Sequence, residues 1–177
     1  MVIGQDWSSS EVLAADPPDY NTVELGFNPK FPTNKNLDRL LERHFGVGRG
    51  ECYLTNLFPF IKIGNATANI KMRDMAYCAK RYTLEEIRIV SPKVAICLGL
   101  KTFIAMMRAT DRKGSPKMDE AIAAPFLFET TMIHCVAHTG ALGTNNRNLV
   151  PGRVASDWQN LAGETYKQRP VSNSSIP

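Results

Sequence analysis

Length, composition and charge restrict this chain to a globular protein of ordinary size. Its 177 residues suit one domain with a full core, and a hydrophobic content of 44% excludes a disordered chain. No apolar run is long enough to cross a bilayer, and the first residues lack the order of a signal peptide. We therefore expect a cytoplasmic, intracellular protein.

The formal net charge of +4 is modest but unevenly distributed. Five of the 17 acidic residues and none of the 21 basic residues lie before residue 25, which leaves a balance of +9 in the rest of the chain. This balance allows a basic face that binds a polyanion such as DNA, and an ordinary solvated surface is the alternative.

Four cysteines lie far apart, at Cys52, Cys78, Cys97 and Cys135. No two of them form a Cys-x-x-Cys pair, so a zinc or iron–sulfur site has little support, and we predict neither a metal nor a cofactor. Three of them sit in apolar runs, which favours reduced cysteines of the core.

The chain opens on a short apolar segment followed by polar residues. Val2 and Ile3 are β-branched and typical of the end of a buried strand, after which Gly4 would allow a turn. Asp6 would then lie just past the carboxyl end of that strand, where open α/β sheets bind ligands. The serines at positions 8–10 are able to cap a following helix and to bind an anion. A strand, a turn and a capped helix without any chemistry is the alternative.

Predicted helices and strands alternate along the rest of the chain. Hydrophobic periodicity predicts helices over residues 37–45, 72–90, 101–107 and 151–166, and strands over 51–57, 93–99 and 130–136. Residues 62–71, 110–120 and 138–147 are predicted loops, and residues 168–177 a flexible C-terminal tail. The alternation predicts an α/β fold: a single three-layer α/β/α domain over residues 1–167 with a four-stranded, mostly parallel central sheet.

Three polar residues come at the ends of three different predicted strands. Asp6, Asn56 and His138 each lie within a residue or two of a strand's end. Because the carboxyl ends of parallel strands meet at one edge of a sheet, we expect the three side chains in one pocket. They suit a reaction in which a water is oriented or a cation stabilised, a planar ligand is read and a developing anion is held.

Four segments resemble motifs of the uracil-DNA glycosylase superfamily, in the same order and with similar spacing. Gly4-Gln5-Asp6 is similar to the Gly-Gln-Asp-Pro-Tyr motif, and residues 52–57 resemble the second strand with its base-reading Asn. Residues 92–99 resemble the Pro-Lys-Val-Ile-Val-Ala-Leu-Gly strand, and residues 138–142 the His-Pro-Ser-Pro-Leu loop. The resemblance covers nearly the whole chain, up to the last helix.

The resemblance implies roles for several residues. Asp6 would orient the attacking water and offset positive charge on the deoxyribose, and His138 would donate a hydrogen bond to the leaving uracil anion. Asn56 would read the Watson–Crick edge of the base. Gln5, from the same motif as Asp6, and Phe31, placed like the family's stacking Phe, would also bind the base. The alternative for Phe31 is a helix staple in the core.

The loop after the last predicted strand would contact DNA. Leu142 lies four residues after the His, as the wedge Leu of the family does, and would fill the base stack when a nucleotide is flipped out. A Leu that merely packs the loop is the alternative. The resemblance makes Thr139, Thr144, Asn145 and Arg147 candidates for holding phosphates.

The chain departs from the family at several positions. Ser8 stands where the family has the Tyr that blocks the methyl group of thymine, and Trp7 stands where it has a Pro. Glu11 occupies the place of the last Glu in the Gly-Glu-Ala-Pro-Gly-x-x-Glu motif of some relatives, so it would either narrow the pocket or only start a helix. Thr139 replaces the Pro of the loop, and Cys78 resembles one cysteine of the iron–sulfur branch without its partners.

The resemblance implies a monofunctional DNA glycosylase, a hydrolase of N-glycosyl bonds in base-excision repair. Its substrate would be DNA with uracil or a related deaminated base, reached by base flipping, and we expect a monomer that is nucleoid-associated when bound to DNA. The alternative is a catalytically inactive relative that binds nucleic acid or a free base. A Rossmann-type cofactor enzyme is disfavoured, because no Gly-x-Gly-x-x-Gly follows the first strand.

Overall fold

The computed structural model of the chain describes residues 1–167, so the predicted tail over residues 168–177 lies outside the described residues. The strands in the described part are β1 Val2–Asp6, β2 Leu54–Phe58, β3 Val94–Leu98, β4 Phe126–Phe128 and β5 Thr131–Val136. They form one sheet in the order β2-β1-β3-β5-β4.

Four of these strands run parallel, and β4 pairs antiparallel with β5 at one edge. The predicted α/β class, with its three layers and mostly parallel sheet, is confirmed, but the prediction of four strands missed β4. A strand of three residues is too short for hydrophobic alternation to be recognised.

Helices lie between the strands and after the last one. Their bounds are α1 Ser10–Ala15, α2 Tyr20–Leu25, α3 Pro32–Phe45, α4 Met72–Cys78, α5 Leu84–Val90, α6 Leu100–Ala109, α7 Met118–Ala123, α8 Ala141–Arg147 and α9 Arg153–Lys167. A π-helical segment, Ala79–Thr83, joins α4 to α5. The helix predicted over residues 72–90 is therefore continuous but not uniformly wound.

Two segments that were predicted to be loops contain helices. The first residues of α7 fall inside the predicted loop 110–120, and α8 occupies most of the predicted loop 138–147. Gly143 and Thr144 are weak helix formers, so the sequence of α8 does not favour a helix by itself. Arg147, its last residue, is bound to Asp157 of α9, and this tertiary contact stabilises the short helix.

The first strand is longer than predicted. Gly4 lies within β1, paired with Asn56, and is not in a turn, and Asp6 is the last residue of the strand and not beyond it. Ser9 takes the N-cap position of α1, but its side chain makes no capping hydrogen bond. The hydroxyl of Ser9 is buried without a partner among the described residues, so the predicted capping by this serine is wrong.

Alternate residues of the strands face opposite sides of the sheet and form two cores. On one side, Ile3 and Cys97 pack with residues of α4 and α6. On the other side, Val2, Ile96 and the buried Trp158 pack with α3 and α9. Because helices cover both faces, the carboxyl edge of the sheet is where a ligand site has room.

The four cysteines are free thiols. Cys78, Cys97 and Cys135 are buried, as expected of core residues, and Cys52 is partly buried. Burial raises the pKa of the Cys135 thiol to about 12, so this thiol stays protonated at neutral pH.

Candidate active site

A cavity of about 700 Å³ opens at the carboxyl edge of the sheet. Asp6 ends β1, Asn56 is the middle residue of β2, and His138 lies two residues past β5. All three residues line the cavity. Three separate strands thus bring a carboxylate, an amide and an imidazole to one place.

The carboxylate of Asp6 is bound on both oxygens. The side-chain amide of Gln5 donates to Oδ2 at 2.8 Å, and Nζ of Lys62 lies 3.0 Å from Oδ1. The side chains of Asp6 and Lys62 are only 11% and 10% exposed, so their ion pair is weakly screened by salt. Contacts on both oxygens give the carboxylate a fixed orientation.

Lys62 was missed in the sequence, which predicts only a basic loop over residues 62–71. In the structure Lys62 lines the cavity, and its ammonium also donates to the carbonyl of Ala66 at 2.7 Å. The available signal was its position just past the strand that contains Asn56. That signal is weak, because a Lys in a loop is usually a solvated residue.

The side chain of Asn56 lies against Gly4 of β1 and lines the cavity. A Cβ atom on Gly4 would lie 2.3 Å from Oδ1 of Asn56, so glycine is required here for space and not for a turn. The half-buried amide of Asn56 makes no hydrogen bond to any residue of the described part. Its donor and its acceptor are therefore available to a planar polar ligand.

His138 is held in one tautomer by its own loop. The backbone N–H of Gly140 donates to Nδ1 at 3.0 Å, which leaves the proton of a neutral imidazole on Nε2. Burial lowers the pKa of His138, and the negative charge of Asp6 partly opposes this effect. His138 is thus neutral at physiological pH and offers one N–H donor.

The other residues predicted to bind a base differ in their relation to the cavity. Gln5, Ser8 and Phe31 line it, as does Trp7. Phe31 is 45% exposed at the N-cap of α3, so it is not a staple in the core. Glu11 is exposed in the first turn of α1 and does not line the cavity, so the role that fits is the helix-start acid.

Leu142 lies at the rim of the cavity, on α8, with 77% of its surface exposed. Asn145 is exposed on the same helix, whereas Thr144 is half-buried and its hydroxyl donates to the carbonyl of Thr139 at 3.4 Å. An apolar side chain this exposed does not pack the loop, so its position fits a contact with a partner outside the chain.

Thr139 and Arg147 are not free to bind phosphate, contrary to the prediction. Thr139 is 1% exposed, and its carbonyl accepts a hydrogen bond from Nδ2 of Asn36 at 2.9 Å. Arg147 donates to both oxygens of Asp157, at 2.6 and 2.9 Å, and is also bound to Asp119. The guanidinium of Arg147 and the carbonyl of Thr139 stabilise α8 and the loop instead, and the hydroxyl of Thr139 is buried without a partner among the described residues.

Basic side chains surround the cavity. Lys101, at the start of α6, lines it and donates to Oδ1 of Asn69 at 2.7 Å. Arg49 also lines it, paired with Asp38 at 2.7 Å and with its guanidinium 3.9 Å from the centre of the Phe27 ring. Both residues were missed in the sequence, where they are ordinary loop and helix cations. Their charge favours an anionic ligand near the cavity.

Residues 1–167 contain no group of three or more His, Cys, Asp and Glu side chains that is arranged to hold a metal ion. No helix of that part is both long and apolar enough to cross a membrane.

The match to a family model agrees with the resemblance found in the sequence. Residues 12–162 match the Uracil DNA glycosylase superfamily. The matched region contains Asn56, His138 and Leu142 and begins after β1, so Asp6 precedes it. No curated protein matches the chain.

Proposed function

Because the chain belongs to the uracil DNA glycosylase superfamily, we propose that it is a monofunctional DNA glycosylase. It hydrolyses the N-glycosidic bond of uracil, or of a related deaminated base, in DNA. The observation that carries the proposal is that Asp6, Asn56 and His138 line the same cavity. The proposal includes base-excision repair in the cytoplasm, by a monomer that is nucleoid-associated when bound to DNA.

In this reaction Asp6 acts on the deoxyribose and on the attacking water. The bond between the base and C1′ breaks with its electron pair leaving on the base, so positive charge develops on the deoxyribose. A carboxylate that is 11% exposed and held on both oxygens stabilises that charge without reorganising. The same carboxylate orients the water whose oxygen bonds to C1′, and the released proton passes to Asp6 or to solvent.

His138 stabilises the leaving base. Negative charge develops on a carbonyl oxygen of the base, and an N–H donor aimed at that oxygen stabilises it. The contact of Gly140 with Nδ1 supports this role, because it leaves the proton on Nε2. A neutral imidazole also adds no second positive charge beside Asp6, which is already paired with Lys62.

Asn56 selects the base. Uracil presents an acceptor at O4 and a donor at N3, which match the donor and acceptor of one amide, whereas cytosine presents a donor at its N4. The close approach of Oδ1 to Gly4 supports a fixed amide orientation. A fixed amide discriminates between the two bases because the wrong base leaves a polar group unpaired.

Base flipping brings the target nucleotide into the cavity. A base inside a duplex cannot reach side chains at the edge of the sheet, so the nucleotide has to leave the stack. The exposed Leu142 at the rim fills the gap that the nucleotide leaves. The exposed Asn145, on the same helix, contacts a flanking phosphate, whereas the hydroxyl of Thr144 donates to the carbonyl of Thr139.

A base-release assay with purified protein tests the proposal. The substrate is a duplex with one uracil, and matched duplexes carry thymine, hypoxanthine or xanthine at that position. We expect release of uracil or of a deaminated purine under single-turnover conditions. His138→Ala should slow release by about 100-fold, or ~3 kcal/mol, as expected for the loss of one preorganised donor. His44→Ala, outside the cavity, is the matched control.

Two further measurements test DNA binding and base reading, and the release assay separates the proposal from its alternative. DNA affinity should fall steeply as salt rises, because neutralised phosphates release counterions. Asn56→Asp should weaken acceptance of uracil, because the amide donor is gone. A wild-type protein that binds DNA but releases none of the four bases would instead support a catalytically inactive relative.

A further inference from the structure

The side chain of Lys62 lines the candidate active site and contacts Asp6 there. Its ammonium lies 3.0 Å from Oδ1 of Asp6 and donates to the carbonyl of Ala66, and the side chain is 10% exposed. Long cationic side chains at a protein surface extend into water, so a Lys this shielded beside a cavity requires an explanation.

Backbone hydrogen bonds hold Lys62 beside the end of β1. The N–H of Lys62 donates to the carbonyl of Ser8 at 3.4 Å, and the N–H of Ser10 donates to the carbonyl of Lys62 at 2.9 Å. The N–H of Glu11 donates to the carbonyl of Gly64 at 3.1 Å. The loop is thus fastened to the segment directly after Asp6, and the ion pair follows from the fold.

The pair controls the orientation of the Asp6 carboxylate. With Gln5 on Oδ2 and Lys62 on Oδ1, rotation of the carboxylate about its Cβ–Cγ bond would break a contact on each oxygen. Charge-assisted contacts of this kind are stronger than neutral ones. A residue that orients water needs such a fixed geometry, because a small misplacement of the reacting groups lowers the reaction rate strongly.

We propose that Lys62 is a positioning residue, which acts through its ion pair to fix the carboxylate of Asp6 for water attack. The inference rests on the proposed function. The opposite effect is also physically defined: a cation beside Asp6 offsets part of the charge that stabilises the sugar. The two effects predict opposite changes in rate when the cation is removed, so one variant distinguishes them.

The experiment compares Lys62→Met, Lys62→Arg and the control Lys93→Met in single-turnover release of the base that the wild type accepts. Lys93 is exposed and precedes β3, at the opposite edge of the sheet. We expect Lys62→Met to slow release by about 100-fold with little change in DNA affinity. Lys62→Arg should recover part of the rate because it keeps the charge, and Lys93→Met should match the wild type.

A double-mutant cycle with Asp6→Asn identifies the route of the effect. If Lys62 acts through Asp6, adding Lys62→Met to Asp6→Asn changes the rate by less than about threefold. Thermal unfolding of each variant shows whether a lower rate of release is due to loss of folded protein. If Lys62→Met does not fold, Lys62→Gln serves as a second neutral variant.

The outcomes separate the two proposals. Equal or faster release by Lys62→Met in an active protein would overturn the positioning role and leave the proposed function intact. Additive losses in the cycle would overturn action through Asp6. A wild type that releases no base would overturn the proposed function, and with it any role for Lys62 in that reaction.

Discussion

Two buried aspartates, each paired with a cation, have different surroundings. Asp157 and Arg147 are each 9% exposed and joined by two hydrogen bonds, away from the cavity. Asp6 and Lys62 are about as shielded, but one ammonium contact joins them and both line the cavity. Burial and pairing alone therefore do not distinguish a structural carboxylate from one available for chemistry. The deciding feature is whether a ligand can reach it.

The largest expected effect tests this comparison directly. Asp6→Asn keeps the shape of the side chain and removes its charge, so base release should fall by about 1000-fold while DNA binding survives. Asp157→Asn makes the same chemical change away from the cavity, and folded protein should release base at nearly the wild-type rate. Equal release by Asp6→Asn and wild type would make Asp6 structural.

The next effect concerns stability. Arg147→Met leaves the carboxylate of Asp157 buried without its bidentate partner, which should lower the free energy of unfolding by about 3 kcal/mol. Lys62→Met should lower it less, because water in the cavity can hydrate Asp6. Chemical denaturation of both variants measures the difference. A larger loss for Lys62→Met would show that the pair at the cavity is the more important one for stability.

A smaller effect is expected at Gly4, which separates Asn56 from β1. Gly4→Ala places a Cβ atom where Oδ1 of Asn56 lies, so the amide must leave its conformation at a cost of about 1 kcal/mol, or about fivefold in rate. Discrimination between uracil and cytosine should fall as well. Gly163→Ala, with nothing within 4 Å of the added Cβ, is the control. Unchanged discrimination in Gly4→Ala would contradict a fixed amide.

The smallest effect is the dependence of stability on pH. Burial lowers the pKa of both His134, near Glu164 of α9, and His138, near Asp6. The unfolded chain therefore binds more protons below about pH 6.5, so stability is complete above that pH and falls as the pH is lowered. His134→Gln should reduce this slope without affecting base release near neutral pH. An unchanged slope would mean that other groups dominate.

The pH dependence of base release should follow His138 and not His134. Protonation of Nδ1 would break its contact with the N–H of Gly140, so release should fall at acidic pH. Because burial lowers the pKa of His138, the fall should begin below the pH at which an ordinary imidazole titrates. In His134→Gln this fall should persist. If the fall disappeared in His134→Gln, then His134 and not the tautomer of His138 would control the pH dependence of release.

Local patterns were sufficient to predict most of the fold. β3 was predicted over residues 93–99 and runs from Val94 to Leu98, because its continuous apolar run is typical of a strand buried on both faces. The predicted helices around α3 and α9 likewise follow from hydrophobic periodicity. The parallel topology then predicted which strand ends share an edge, and hence the common position of Asp6, Asn56 and His138.

Features that depend on partners distant in the sequence were not predictable in this way. β4 is too short to show a period, and α8 is stabilised by the contact of Arg147 with α9. The family resemblance made Thr139 a candidate for holding phosphate, but its burial is not visible in the sequence.

The sequence by itself determined the alternation of helices and strands, because backbone periodicity depends on neighbouring residues. It also determined which polar side chains follow the strands. Only the tertiary structure decided which charged groups remain available, since Asp157 binds Arg147 and the Lys62 loop binds the end of β1. Availability depends on burial and on competing partners, and packing brings those partners together from segments far apart in the chain.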